Sequence, residues 1–155
     1  MRDVESRHFA FTAPLGPIET GELKWYLESY WRWPVSVYKV RATEVEKALP
    51  NWGKDLFDEI RRSSTRVTDG VFGGWNADKS SERRFTIEVD RELMEGASTD
   101  DEKLADEAST LLLSLPWELL HDARTYLFEG PSGVCVRRRM PNREPLERPL
   151  SGASP

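Results

Sequence analysis

Leu113-Ser114-Leu115-Pro116-Trp117-Glu118-Leu119-Leu120-His121-Asp122 packs a helix end, a large apolar ring and an acidic turn into one short run. Pro116 cannot continue a helix, because its ring blocks the preceding turn and it has no N–H to donate. Before it, Leu104, Ala108, Leu111, Leu112 and Leu115 recur at helical spacing, which predicts a helix with these residues on its buried face. Asp100-Asp101-Glu102 opens that helix, where the positive end of the dipole favours acids. Trp117 brings a large surface to bury, and Glu118 is placed to answer exposed backbone donors or an arginine. Leu119 and Leu120 continue the core. Each role that Pro116, Trp117, Glu118, Leu119 and Leu120 suggest is structural.

On either side the pattern turns β-like. Phe85, Ile87 and Val89 alternate with Thr86 and Glu88, which predicts a half-buried strand. Downstream, Tyr126-Leu127-Phe128 and Val134-Cys135-Val136-Arg137 read as strands, with Glu129-Gly130-Pro131-Ser132-Gly133 a linker of hairpin length. Residues 63–82 are rich in Ser, Thr, Gly and Asp and read as loop, with Val71-Phe72-Gly73-Gly74-Trp75 at most a short element.

Residues 1–62 read as an extended lead and a helical segment. Phe9-Ala10-Phe11-Thr12 is strand-like and Pro14-Leu15-Gly16-Pro17 is turn chemistry. Leu23, Tyr26, Leu27, Tyr30 and Trp31 then form an amphipathic stripe, with Thr20 as N-cap and Pro34 as stop. A second helix, about Tyr38 to Leu49, puts Tyr38, Ala42, Val45 and Leu49 on one side. Pro50 suits the first turn of a third, which carries Trp52, Leu56, Phe57 and Ile60. The proline-rich residues 143–155 read as a flexible linker. The expected fold class is α/β of the mixed α+β kind, an N-terminal helical layer packed with a small sheet.

Composition narrows the function. The chain has 155 residues, 38% hydrophobic and 32% charged, which suits one soluble domain. A net charge of −5 argues against a dedicated nucleic-acid binder. No run approaches the roughly 20 apolar residues that span a bilayer, and the N-terminus leads into no apolar signal core. Cys135 stands alone, so no internal disulfide can form. A cytoplasmic protein with neither nucleic-acid nor membrane partners is the expectation.

Catalytic chemistry has little to work with. The histidines are His8 and His121, and zinc needs three or four compact ligands. His121, Asp122 and distant Cys135 would still require another carboxylate, so neither metal nor cofactor is expected. Cys135 lies in an apolar run and reads as a small buried hydrophobe. If the strand is regular, Arg137 and Arg139 share its face, which keeps a Cys135–His121 hydrolase as a third reading. There is no nucleophile elbow and no phosphate-binding glycine loop. No catalytic residue is assigned.

Two features suit contact with another protein. Trp25, Tyr30, Trp31 and Trp33 cluster among charges of nearly balanced sign, which favours a core or a partner interface over base stacking. Arg137-Arg138-Arg139 opens the one basic run, five arginines to Arg148 against Glu144 and Glu147. Such a run guards a strand edge or meets an acidic peptide.

The motif also carries a resemblance. Leu115-Pro116-Trp117-Glu118-Leu119-Leu120, followed by the acidic turn, Tyr126-Leu127-Phe128 and Val134-Cys135-Val136-Arg137-Arg138, resembles the opening of bacterial CHAT domains, which are caspase-like and related to separase. It covers about residues 83–142. Leu23-Lys24-Trp25-Tyr26-Leu27-Glu28 and Pro50-Asn51-Trp52-Gly53 resemble the segment that precedes CHAT in some bacterial proteins. In CHAT peptidases the catalytic histidine and cysteine lie further along, and no residue here matches those positions. The resemblance therefore implies a front, non-catalytic portion, a scaffold or regulatory module that pairs with a separate catalytic portion. A self-contained protein-binding adaptor is the alternative.

Overall fold

The computed structural model describes residues 6, 9–63, 71–75, 82–90, 98–129 and 133–139. His8, the Gly130–Ser132 part of the expected hairpin linker, Met140 and the 143–155 tail lie outside them. Among the described residues, four helices and a two-stranded parallel sheet make up a mixed α/β fold.

Helix α1 runs Pro17–Glu28. It starts one turn earlier than Thr20 would have it, because Pro17 takes the first helical position and needs no N–H partner there. Gly16 is the N-cap, and its N–H donates to Glu19 Oε2 at 2.9 Å. Thr20 instead returns its hydroxyl to the Gly16 carbonyl from inside the helix. A 3-10 turn, Tyr30–Arg32, leads towards α2.

Helix α2 spans Ser36–Ser63, so the second and third helices of the sequence reading are one, with Pro50 in its interior. Interior proline costs about 3 kcal/mol in a lost hydrogen bond and a clash. Packing on both halves offsets it. Ala42 and Val45 are buried in the first half, and Gly53, Leu56, Phe57 and Ile60 in the second. The 71–75 stretch, read mostly as loop, is a short helix (α3) that buries Phe72 and Trp75.

Strand β1 (Glu82–Glu88) pairs with β2 (Gly133–Arg139) in parallel, Phe85 opposite Val136 and Glu88 opposite Arg139. The hairpin expected from Tyr126-Leu127-Phe128 does not form. Tyr126 makes only an isolated bridge to His121, and Leu127 and Phe128 turn away into the core. A linker of hairpin length suggests antiparallel neighbours, but Val134–Arg139 lies beside β1 through a crossover that contains helix α4, Thr99–Ser114. Ser98 caps α4, exchanging hydrogen bonds with Asp101 in a capping box.

The core joins Leu15, Leu56, Phe57, Ile60, Phe72, Leu115, Trp117 and Leu120. Phe9 and Phe11 of the lead pack on it without forming a strand. One face of the sheet, Phe85, Ile87 and Val136, rests on this core. Helix α4 meets it only near its end, through Leu112 and Leu115. The predicted apolar face is therefore wrong in its upper turns: Leu104 and Leu111 are 70% and 64% exposed, Ala108 is exposed, and Ser109 is buried instead. The Ser109 hydroxyl satisfies itself on the Ala105 carbonyl at 2.6 Å.

Candidate functional site

Pro116 pushes Leu115 out of the helical region, so α4 ends at Ser114, and a 3-10 turn, Trp117–Leu119, follows. Trp117 is 4% exposed, its indole N–H donates to the Leu112 carbonyl at 2.9 Å, and its ring meets Phe11 at 5.3 Å. Leu120 is fully buried and Leu119 half-buried. Crossing beneath them is α2 at Gly53. A Cβ built on Gly53 would stand 1.8 Å from the Leu119 carbonyl oxygen, and the Gly53 carbonyl accepts the His121 N–H at 3.2 Å. Only glycine permits that approach. The Pro50-Asn51-Trp52-Gly53 and Pro116-to-Leu120 segments thus form one joint.

Glu118 takes an arginine. Both of its oxygens accept from Arg138, at 2.7 and 2.6 Å, and Arg138 also donates to the Leu115 carbonyl at 3.2 Å. This fork fastens the end of β2 to the turn. Desolvation opposes the charged carboxyl, but the Arg138 hydrogen bond, a backbone N–H and the guanidinium charge outweigh it, so the Glu118 pKa is lowered. A lowered folded-state value means the pair stabilises above the unfolded carboxylate pKa, about 4.3, and is lost as pH falls through the folded value. Urea midpoints measured between neutral and acid pH are therefore expected to fall less steeply for Glu118→Gln than for the parent. An unchanged slope would show that the pair contributes nothing.

The turn after the motif is tightly bonded. Asp122 Oδ1 accepts the Thr125 and Arg124 N–H groups, each at 2.9 Å, which lowers its pKa. Ala123 sits at φ 73°, a left-handed conformation that disfavours a Cβ. His121 Nδ1 accepts the Ala123 N–H, and its ring stands edge-on to Tyr126 at 4.9 Å. These contacts tie His121 to its own turn. Among the described residues no group of three His, Cys, Asp or Glu side chains could hold a metal ion.

Cys135 is exposed, not buried as the apolar run implied. The inner face of β2 goes to Val134, Val136 and Arg138, leaving Cys135, Arg137 and Arg139 outward with Arg84, Thr86 and Glu88 of β1. Arg139 pairs with Glu88 across the register. That outward face is bare among the described residues, and neither strand has a second neighbour there.

The four aromatics divide into two pairs. Trp25 and Tyr30 are half-buried within the α1–α2 hairpin, where the Arg41 guanidinium lies 3.9 Å over the Trp25 ring and forks onto Glu22. Tyr26 donates to Glu46, which raises its pKa. Trp31 and Trp33 are each 67% exposed.

Sequence reasoning missed the Gly53 crossing and the 71–75 helix. A glycine inside a helical pattern was the signal for the first. It also missed Arg83, which lies 4.5 Å over the Trp75 ring and donates to the Trp75 carbonyl at 3.2 Å. Beside it is an open cavity of about 200 Å³, bordered by Asp122 and Glu129. Trp75 in turn donates to the Leu127 carbonyl at 3.1 Å. No family model, curated protein or solved structure matches the chain.

Proposed function

We propose that this chain is a non-catalytic scaffold module of a CHAT-type, caspase-like protein, joined by a catalytic portion that extends its sheet. The observation that carries the reading is the parallel pair β1–β2, bare on one face and unextended on both edges among the described residues. Parallel strands occur almost only in larger sheets covered on both faces, and two strands alone are marginal. The Pro116-to-Leu120 motif supports the family reading, and the joint at Gly53 links it to the upstream segment that shares the resemblance.

Co-expression with a matching CHAT catalytic portion tests it. The two chains are expected to co-elute in size exclusion at micromolar concentration, with the β1 and β2 amides more protected from hydrogen exchange than in the single chain. Separate elution would refute the pairing. A self-contained adaptor that binds a protein through its uncovered sheet edge is the second reading, and the unextended strands among the described residues favour it.

A further inference from the structure

The turn between α1 and α2 gathers apolar side chains that nothing in the described structure covers. Trp31 and Trp33 are each 67% exposed, Val35 52%, Val37 76% and Val40 67%. Exposed apolar residues scattered singly need no explanation, but five within ten positions concentrate apolar exposure on one turn, as interaction sites do. The patch also stands away from the sheet. Val37 lies roughly 24 Å along α2 from Gly53, at 1.5 Å per residue. Its occupant is therefore separate from whatever extends the strands.

Charge narrows the occupant. From Ser29 to Thr43 there is no acidic residue, while Arg32, Lys39 and Arg41 are basic, in a chain whose net charge is −5. Arg41 is engaged by Glu22, but Arg32 and Lys39 make no ion pair among the described residues. Protein interface cores are depleted of lysine. A turn with two exposed tryptophans, branched aliphatics and flanking cations instead matches what the bilayer interface selects: amphipathic indoles at headgroup depth, aliphatic side chains beneath, and Lys or Arg facing anionic lipids. Among the described residues no helix is long and apolar enough to cross a membrane, and the contact argued for is with the surface.

We infer that the α1–α2 turn, with Trp31, Trp33 and Val37 as its apolar contacts and Arg32 and Lys39 as its cations, docks on an anionic lipid surface. The inference does not depend on the proposed function.

Vesicle co-sedimentation of the full chain tests it, using phosphatidylcholine vesicles with and without about a third phosphatidylserine, alongside tryptophan emission. Binding to the anionic vesicles is expected, with a blue shift, weakening as salt rises. Neutral vesicles, the Trp31→Ala/Trp33→Ala chain and the Arg32→Glu/Lys39→Glu chain should each bind at least about tenfold less. All four substituted side chains are exposed, so far-ultraviolet circular dichroism should match the parent. Failure to bind anionic vesicles would overturn the inference, as would binding that survives both double substitutions. Self-association that the tryptophan substitutions abolish, without vesicle binding, would show the patch to be a protein interface and overturn it equally.

Discussion

Gly53→Ala is expected to destabilise the protein by about 4 kcal/mol, lowering the thermal midpoint by roughly 10 °C. Helix propensity alone gives the opposite sign, since alanine is better than glycine inside a helix by about 1 kcal/mol. Here the new methyl would fall 1.8 Å from the Leu119 carbonyl oxygen and 3.1 Å from the His121 Cβ. Backbone cannot move aside as a side-chain tip can. Either α2 lifts off the 3-10 turn, losing the His121-to-Gly53 hydrogen bond, or the turn itself is displaced. Gly21 is the control: it lies in α1, and a Cβ there meets nothing within 4 Å. Gly21→Ala should stabilise by about 0.5–1 kcal/mol. Thermal unfolding of both variants separates propensity from packing, and equal effects would dismiss the joint.

The second large effect is at Trp117. Trp117→Ala should cost about 4 kcal/mol, from lost burial and a cavity that its neighbours only partly fill. The ring belongs to the core and meets Phe11 of the lead, so its removal also loosens the packing of the lead. Total stabilities of roughly 5–15 kcal/mol leave little margin for such a loss. Trp117→Phe keeps a ring but leaves the Leu112 carbonyl without the indole donor, for an expected cost of about 1–2 kcal/mol. Chemical denaturation followed by circular dichroism distinguishes the two. A Phe variant as damaged as the Ala variant would show that the hydrogen bond matters more than the ring.

Legibility followed the range over which each signal acts. Phe85 and Ile87 alternate with Thr86 and Glu88 because one side of β1 faces the core, so local pattern and tertiary burial agree. Asp100, Asp101 and Pro116 mark the limits of α4 through local backbone chemistry, so its span is legible in the sequence. Its buried side was not: Leu104 and Leu111 have the right spacing but stand beyond the reach of the core. Pro50 suggested a break that the packing of two distinct half-helices overrides. The hairpin failed because a parallel partner depends on residues far away in sequence, which no five-residue linker reveals. For the candidate site, Glu118 asked for an arginine, but naming Arg138 needed the fold. Trp31 and Trp33 were visible as unusual, yet their spacing matched a core stripe as well as a bare tip.

The parallel register also bears on how fast the molecule assembles. Glu88 and Arg139 are 51 residues apart in sequence, and Trp75 reaches Leu127 across 52. Each such contact waits on closure of a long loop, whose entropy must be lost before any contact is gained. Helices α2 and α4 can form locally, whereas β1 must wait for β2. During that interval Phe85, Ile87 and Val136 are open to strands of other copies, and the charges beside them act as gatekeepers. Arg137, Arg138 and Arg139 repel their counterparts on a neighbouring chain until Glu118 and Glu88 engage two of them.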